Sequence, residues 1–159
     1  MTAREIQRRL IHDKRQSTVM PNFTPRQWFE SDVIEITRAR IWVEYEIKIS
    51  RADFFADSQK GVHQFDNGQS SKHRQVAAGK GPSRFFFVVP HMLVTELDVP
   101  IWAGLIYATE RKGVRAPFNI ILSVQRKAPY LHRRKFQDFD MCKIHLSAYY
   151  RYIRSWGQQ

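Results

Sequence analysis

The chain has 159 residues and a formal net charge of +11, from 26 Lys and Arg against 15 Asp and Glu. That length fits one domain able to bury a core without staples, and 43% hydrophobic residues with 13% aromatics argue against disorder throughout. A single cysteine, Cys142, excludes an internal disulfide framework and suits a reducing compartment. No apolar run approaches the roughly 20 residues that span a bilayer, and the start Met1-Thr2-Ala3-Arg4-Glu5 lacks the apolar stretch of a signal peptide, so the expectation is a cytoplasmic protein with no membrane partner.

In chain order, the stretch from about Thr2 to Arg15 predicts an amphipathic helix, because Ile6, Leu10 and Ile11 recur at helical spacing among basic residues. Pro21 and Pro25 break any helix, and Asn22-Phe23-Thr24-Pro25 reads as a loop. Asp32 to Ile36 is a short β-branched strand. Ile41 to Ile49 alternates, with Ile41, Val43, Tyr45, Ile47 and Ile49 on one face and Trp42, Glu44, Glu46 and Lys48 on the other. The link Thr37 to Arg40 suggests a hairpin, although it lacks the glycine that a tight two-residue turn prefers. Ser50-Arg51-Ala52-Asp53 has the form of a capping box, opening a helix to about Lys60 that buries Phe54 and Phe55.

Gly61 to Ser71 is polar and reads as a mobile loop, and Lys72 to Ala78 as a brief helix. Gly79-Lys80-Gly81-Pro82 is a turn without the spacing of a phosphate-binding P-loop. Arg84 to Val89 is a buried strand closed by Pro90, which sends Phe85, Phe86 and Phe87 to the core. A short helical segment near Met92 to Glu96 precedes a strand over Trp102 to Tyr107, and Phe118 to Val124 is compatible with one more. A basic loop around Pro129 leads into a last helix, about Asp138 to Trp156, with Cys142 as a core residue. This order predicts an α/β fold, a mixed sheet flanked by helices in one domain. Its core covers about residues 2–107, followed by a basic C-terminal tail and helix over about 108–159.

The positive charge is clustered. Arg111, Lys112, Arg115, Arg126, Lys127, Arg133, Arg134 and Lys135 fall in one stretch with no acid between them, and Arg4, Arg8, Arg9, Lys14 and Arg15 stand against only Glu5 and Asp13. A polyanion is the natural partner, and nucleic acid the commonest one. The stretch from Arg111 to Lys135 is the candidate surface for phosphate contacts, which position a duplex without reading its sequence; Lys80 and Arg84 are further candidates. Nothing resembles a helix-turn-helix or zinc-finger reader. Structure-selective or weakly selective binding to duplex or branched DNA is expected, weakening steeply with salt. Composition leaves RNA open as the polymer, and a homodimer open as the assembly.

Glu46 and Lys48 lie two apart on a strand, so both side chains share a face. Phosphodiester hydrolysis calls for such a pair: a hard cation held by oxygen ligands, an activated water and positive charge near the scissile phosphate. Glu46 can hold the cation and Lys48 can orient or activate the water. Asp32, on the preceding strand, is the candidate second ligand. A hairpin loop of odd length pairs Asp32 with Glu46, their Cβ atoms about 5 Å apart, whereas an even one brings Glu35 there instead. His12, His63, His73, His91, His132 and His145 show no tight ligand spacing, and with one cysteine a structural zinc site is not expected.

Asp32 followed by Glu46-Ile47-Lys48 resembles the D…ExK signature of the PD-(D/E)XK nuclease superfamily. The wider stretches Asn22-Phe23-Thr24-Pro25-Arg26, Trp28 to Asp32, Glu44 to Phe54 and Gly81 to Pro90 resemble small phage and bacterial proteins related to the MmcB-like DNA repair proteins. The likeness covers roughly Glu5 to Tyr107. It implies a restriction-endonuclease-like αβββαβ core and an endonuclease of DNA repair, recombination or restriction. It implies catalysis with Mg²⁺, or Mn²⁺ as a substitute, with Asp32, Glu46 and the main-chain carbonyl of Ile47 as ligands. It also implies a first-helix glutamate near the site, for which Glu5 is the match.

Overall fold

The structure is a computed structural model that describes residues 1–56, 71–115 and 119–156. The expected helix end at Lys60, the polar loop from Gly61 up to residue 70, and Phe118 lie outside them. At the start of α1 (Ala3–Asp13) the Thr2 hydroxyl accepts from the Glu5 amide, and the Glu5 carboxylate accepts from the Thr2 amide at 2.6 Å. This reciprocal box satisfies donors that a helix start otherwise orphans. Ile6 and Leu10, one turn apart, are fully buried and anchor the helix to the sheet.

Six strands are described: β1 (Thr18–Phe23), β2 (Ser31–Ile36), β3 (Trp42–Ile47), β4 (Arg84–Pro90), β5 (Gly104–Glu110) and β6 (Ile120–Arg126). They lie side by side in chain order. β1, β2 and β3 are antiparallel neighbours, β3, β4 and β5 are parallel, and β6 returns antiparallel to β5. Between β3 and β4 lie α2 (51–56 in its described part) and α3 (Lys72–Ala77); a 3-10 turn, Glu96–Asp98, separates β4 from β5, and α4 (Asp138–Trp156) follows β6. The fold is α/β, a mixed sheet flanked by helices. No helix among the described residues is long and apolar enough to cross a membrane.

Alternation divides the sheet's two faces. Val33, Val43, Tyr45, Ile47, Phe86, Val88 and Ile106 meet Ile6 and Leu10 of α1 on one face. Phe85, Phe87, Val89 and Leu105 pack with Phe54 of α2 and Val76 of α3 on the other. Beside them Ile34, Ile36 and Met20 meet Phe136 and Ile144, the second from α4.

Four expectations are corrected. The loop expected over Asn22 to Pro25 begins later, since Asn22 and Phe23 end β1, a strand that also contains Pro21. That strand is an edge, bonded to β2 alone, where a missing N–H costs no ladder bond. The segment near Met92 to Glu96 forms no α-helix: Met92 takes φ +60 in a turn, and Thr95 with Asp98 caps a single 3-10 turn. The chain beyond residue 107 is more than a tail, since β6 completes the sheet and supplies Ile120 to the α1 core. Cys142 is exposed, because α4 turns Ile144 inward instead.

Candidate functional site

The hairpin between β2 and β3 sets the site. Five residues, Thr37 to Ile41, separate the paired ends Ile36 and Trp42. Arg40 supplies the positive φ of +62 that a glycine would ordinarily provide. The loop is odd, so the register runs Ile36 with Trp42, Ile34 with Glu44 and Val33 with Tyr45; the next pair outward is Asp32 with Glu46. There the ladder opens, and the Asp32 carboxylate accepts the Ile47 amide at 2.7 Å. Glu35 is carried to the other face, where it accepts from the Tyr45 hydroxyl at 2.6 Å and the Ser17 hydroxyl at 2.8 Å. It takes no part in the Asp32 cluster.

Along β3 the even-numbered side chains face away from α1. Glu44 is fully buried and Glu46 nearly so, and Lys48, just past the strand end, is buried too. Lys48 Nζ lies 3.0 Å from Glu46 Oε1 and 3.8 Å from Asp53 Oδ1. The Asp53 amide is held by the Ser50 hydroxyl, which caps α2. A second ammonium enters from α3. Lys72 Nζ donates to Glu46 Oε2 at 2.7 Å and to the Glu30 carbonyl at 2.9 Å, and forms a 2.6 Å ion pair with Glu44 Oε1. Trp28 Nε1 donates to the other Glu44 oxygen at 3.0 Å. Gly81, at φ +73, lets the chain pass under that indole: a Cβ there would come within 2.3 Å of the ring.

These contacts divide the acids. Burial pushes the Glu46 carboxyl up, but Lys72 and Lys48 outweigh it and hold it below the usual range. Burial raises Glu44 more than Lys72 lowers it. Asp32 is also raised, by burial and then by Glu46, against the Ile47 amide and the two more distant lysines. Burial depresses the Lys72 ammonium, yet Glu44 and Glu46 raise it beyond its ordinary value. Among the described residues, Asp32, Glu44, Glu46 and Asp53 surround the Lys48 and Lys72 ammonium groups, and Asp32 pairs directly with neither. Burial and the neighbouring acid both disfavour its charged form.

Asp32 borders a cleft of about 480 Å³ lined by Ala3, Arg4, Gln7, Asn22 and Ile47. Gln7 Nε2 donates to the Asp32 carbonyl at 2.8 Å and to Asn22 Oδ1 at 2.9 Å. Gln7 is therefore an α1 side chain that hydrogen-bonds to the Asp32 main chain. Glu5 is not brought there, because its carboxylate is spent on the Thr2 cap and the N-terminal ammonium. Among the described residues no three His, Cys, Asp or Glu side chains converge as a metal-holding group. Asp32 and Glu46 make a two-carboxylate set, which suits a cation such as Mg²⁺ that keeps several of its waters.

The basic residues separate into two kinds. Arg126 is structural: its guanidinium donates to the carbonyls of Ala103, Glu96, Val99 and Pro100 and ties the 3-10 segment to β6. Of the basic residues named for phosphate contacts, Arg126 is thus one whose guanidinium is already engaged within the fold. Arg84 is partly committed as well, donating to the Ala128 carbonyl at 3.2 Å and lying over the Phe86 and Tyr130 rings. Arg111, Lys112, Arg115, Lys127 and Arg133 are exposed. Lys80, Arg134 and Lys135 converge with Arg26, Trp28 and Trp42 around a second cleft, about 310 Å³. Trp28 separates it from Glu44.

Sequence reasoning missed Lys72, Gln7 and the bond from Trp28. Lys72 and Trp28 carry no periodic signal toward β3. Gln7 could have been found, because it follows the core residue Ile6 on the edge of the buried helix face.

No family model and no curated protein matches the chain. Among solved structures, the SPO1766 protein of unknown function from Silicibacter pomeroyi is similar, with a TM-score of 0.60 and 22% identity over 94% of this chain and 84% of that one. The likeness shows that the same arrangement of sheet and helices occurs in that protein.

Proposed function

We propose that the protein is a metal-dependent nuclease of the PD-(D/E)XK type that hydrolyses phosphodiester bonds of DNA in a bacterial or phage-infected cytoplasm. The observation that carries the reading is a charged row where apolar residues would be cheaper: Glu46 and Lys48 buried on one face of β3, with Asp32 across the hairpin. Asp32 and Glu46 would hold Mg²⁺, or Mn²⁺ in its place, with the Ile47 carbonyl added by the resemblance; the ion would supply Lewis-acid stabilisation of the phosphate and lower the pKa of water. Lys48 places positive charge beside that pair. Lys72 keeps Glu46 ionised and fixes one of its oxygens. The exposed cations from Arg111 to Lys135 hold flanking phosphates without reading bases.

The test is a cleavage assay on supercoiled plasmid, linear duplex, single strands, a four-way junction and RNA, each with Mg²⁺, Mn²⁺ or EDTA. Cutting should require the ion and fall by about 100-fold or more in Glu46→Ala and Lys48→Ala. Equal cutting by either variant sinks the assignment. A second reading, a DNA-binding module that does not cut, is favoured by the fact that both Glu46 oxygens already carry an ammonium partner. Salt-sensitive binding without cleavage under any ion would select it.

A further inference from the structure

We infer that the outward face of α4 is a self-association surface whose occupant is α4 of a second copy of this chain. α4 is apolar on two opposite sides. Its inner side places Ile144 in the core beneath Met20 and Ile34, and Arg151 anchors its second half by donating to the Pro21 and Asn22 carbonyls. On the reverse side, Phe139, Cys142, Leu146, Tyr149 and Ile153 recur at alternating spacings of three and four residues. That is the repeat of a seam between two helices, here with Phe139, Leu146 and Ile153 alternating with Cys142 and Tyr149.

All five are exposed: Phe139 by 58%, Leu146 by 55%, Tyr149 by 57%, Ile153 by 44%, and Cys142 as a free thiol. A helix with an apolar stripe on each of two opposite sides normally has an apolar neighbour on each. Tyr150 and Tyr152 widen the stripe on either flank. Leaving Cys142 aside, the four aromatic side chains of about 150–250 Å² each, with Leu146 and Ile153, are roughly half exposed and present on the order of 500–600 Å² per copy. Two copies would then bury about 1,000–1,200 Å², at the lower edge of a stable interface, and exposed apolar patches of that size mark interaction sites. Charge permits the pairing, since the stripe itself holds no Asp, Glu, Lys, Arg or His. The flanking Lys143 already lies over the Phe139 ring.

The test is sedimentation velocity over roughly 1–100 µM, the range in which an interface of this size assembles. The wild type should pass reversibly from monomer to dimer, and Leu146→Glu and Ile153→Glu should remain monomers with unchanged circular dichroism and melting temperature. Because both positions are exposed, loss of the dimer without loss of fold separates a surface role from a core role. Disulfide crosslinking through Cys142 alone, or only after Ile153→Cys is added, corresponds to parallel or antiparallel packing, and either supports the seam. A wild type that stays monomeric throughout overturns the proposal. So does a dimer that survives Leu146→Glu, or a Leu146→Glu variant whose only defect is weaker retention on nucleic acid. None of these readouts depends on cleavage.

Discussion

Two neighbouring strands, β3 and β4, run parallel in register through the middle of the sheet and are about equally buried, yet their shared face is built oppositely. Phe85 stands beside Glu44 and Phe87 beside Glu46. The β4 side is an aromatic cluster in which Phe85, Phe87, Phe54 and Trp102 meet edge to face at 5–6 Å. The β3 side is a chain of ion pairs, Glu44 to Lys72 to Glu46 to Lys48, begun by the hydrogen bond that Trp28 donates to Glu44. Burying ions costs several kcal/mol each before their mutual attraction is counted, and a well-packed apolar replacement is often no less stable. The aromatic strand is therefore explained by stability alone. The charged strand is not, which is why the chemistry is assigned to it.

The largest effect should come from breaking that chain at its centre. Lys72→Met leaves Glu44 and Glu46 short of their shared ammonium and should cost about 3–5 kcal/mol in a denaturant melt. Adding Glu44→Leu should return much of the loss, because the pair is then replaced by apolar groups beside Phe85. A loss under about 1 kcal/mol for Lys72→Met would mean that the β3 charges behave as a solvated surface row rather than a buried one. Next in size is Trp28→Phe, which keeps the edge contacts with Phe29 and Trp42 but removes the donor to the buried Glu44 carboxylate. A hydrogen bond to a charged group is worth about 1.5–3 kcal/mol, and the same melt reads it.

How much of the molecule is legible in its sequence follows the range of the interactions. The alternation of Val43, Tyr45 and Ile47 with Glu44, Glu46 and Lys48 is a period-two signal written in consecutive residues, and so both faces of β3 could be assigned. The choice between Asp32 and Glu35 hung on loop parity. Arg40 in a positive-φ conformation set that parity without the glycine that would have announced it. β1 was hidden because Pro21 and Asn22-Phe23-Thr24-Pro25 read as a helix breaker and a loop, whereas an edge strand tolerates proline. Lys72 was hidden for a different reason: its partners lie on another element, and no local pattern connects a helix-start lysine to Glu44 and Glu46.

The basic residues allow a smaller test of the same division between structural and functional charge. Arg126→Ala should lower stability by about 2 kcal/mol, since several carbonyls lose their donor, and should leave the salt dependence of nucleic-acid binding unchanged. Lys127→Ala and Arg133→Ala should do the reverse: stability within about 0.5 kcal/mol of wild type and a salt slope reduced by about one for each phosphate no longer neutralised. If Arg126→Ala flattens the slope while Arg133→Ala does not, the two kinds of cation have been assigned the wrong way round.

The smallest effect concerns the rim of the second cleft, where His132 sits against the turn that supports Trp28. Its Nε2 lies 2.9 Å from the Gly81 carbonyl, and its Nδ1 accepts the Arg134 amide at 3.2 Å. That pairing specifies a neutral ring protonated on Nε2, because a proton on Nδ1 would face another donor. Burial lowers the His132 pKa below its ordinary 6.5, Arg134 lowers it further, and the Gly81 bond only partly opposes them. The unfolded chain therefore binds this proton more readily than the folded one, so stability should fall as pH drops from about 6.5 toward the lower folded value and level off beyond it. Because the ring is largely solvent-screened, the change should be a few tenths of a kcal/mol. His132→Gln should flatten that limb and leave a separate loss below pH 4.5, where Glu46, held low by Lys72 and Lys48, finally takes a proton. A limb near pH 6 that persists in His132→Gln would assign it to another group and leave the Gly81 turn without a pH-sensitive support.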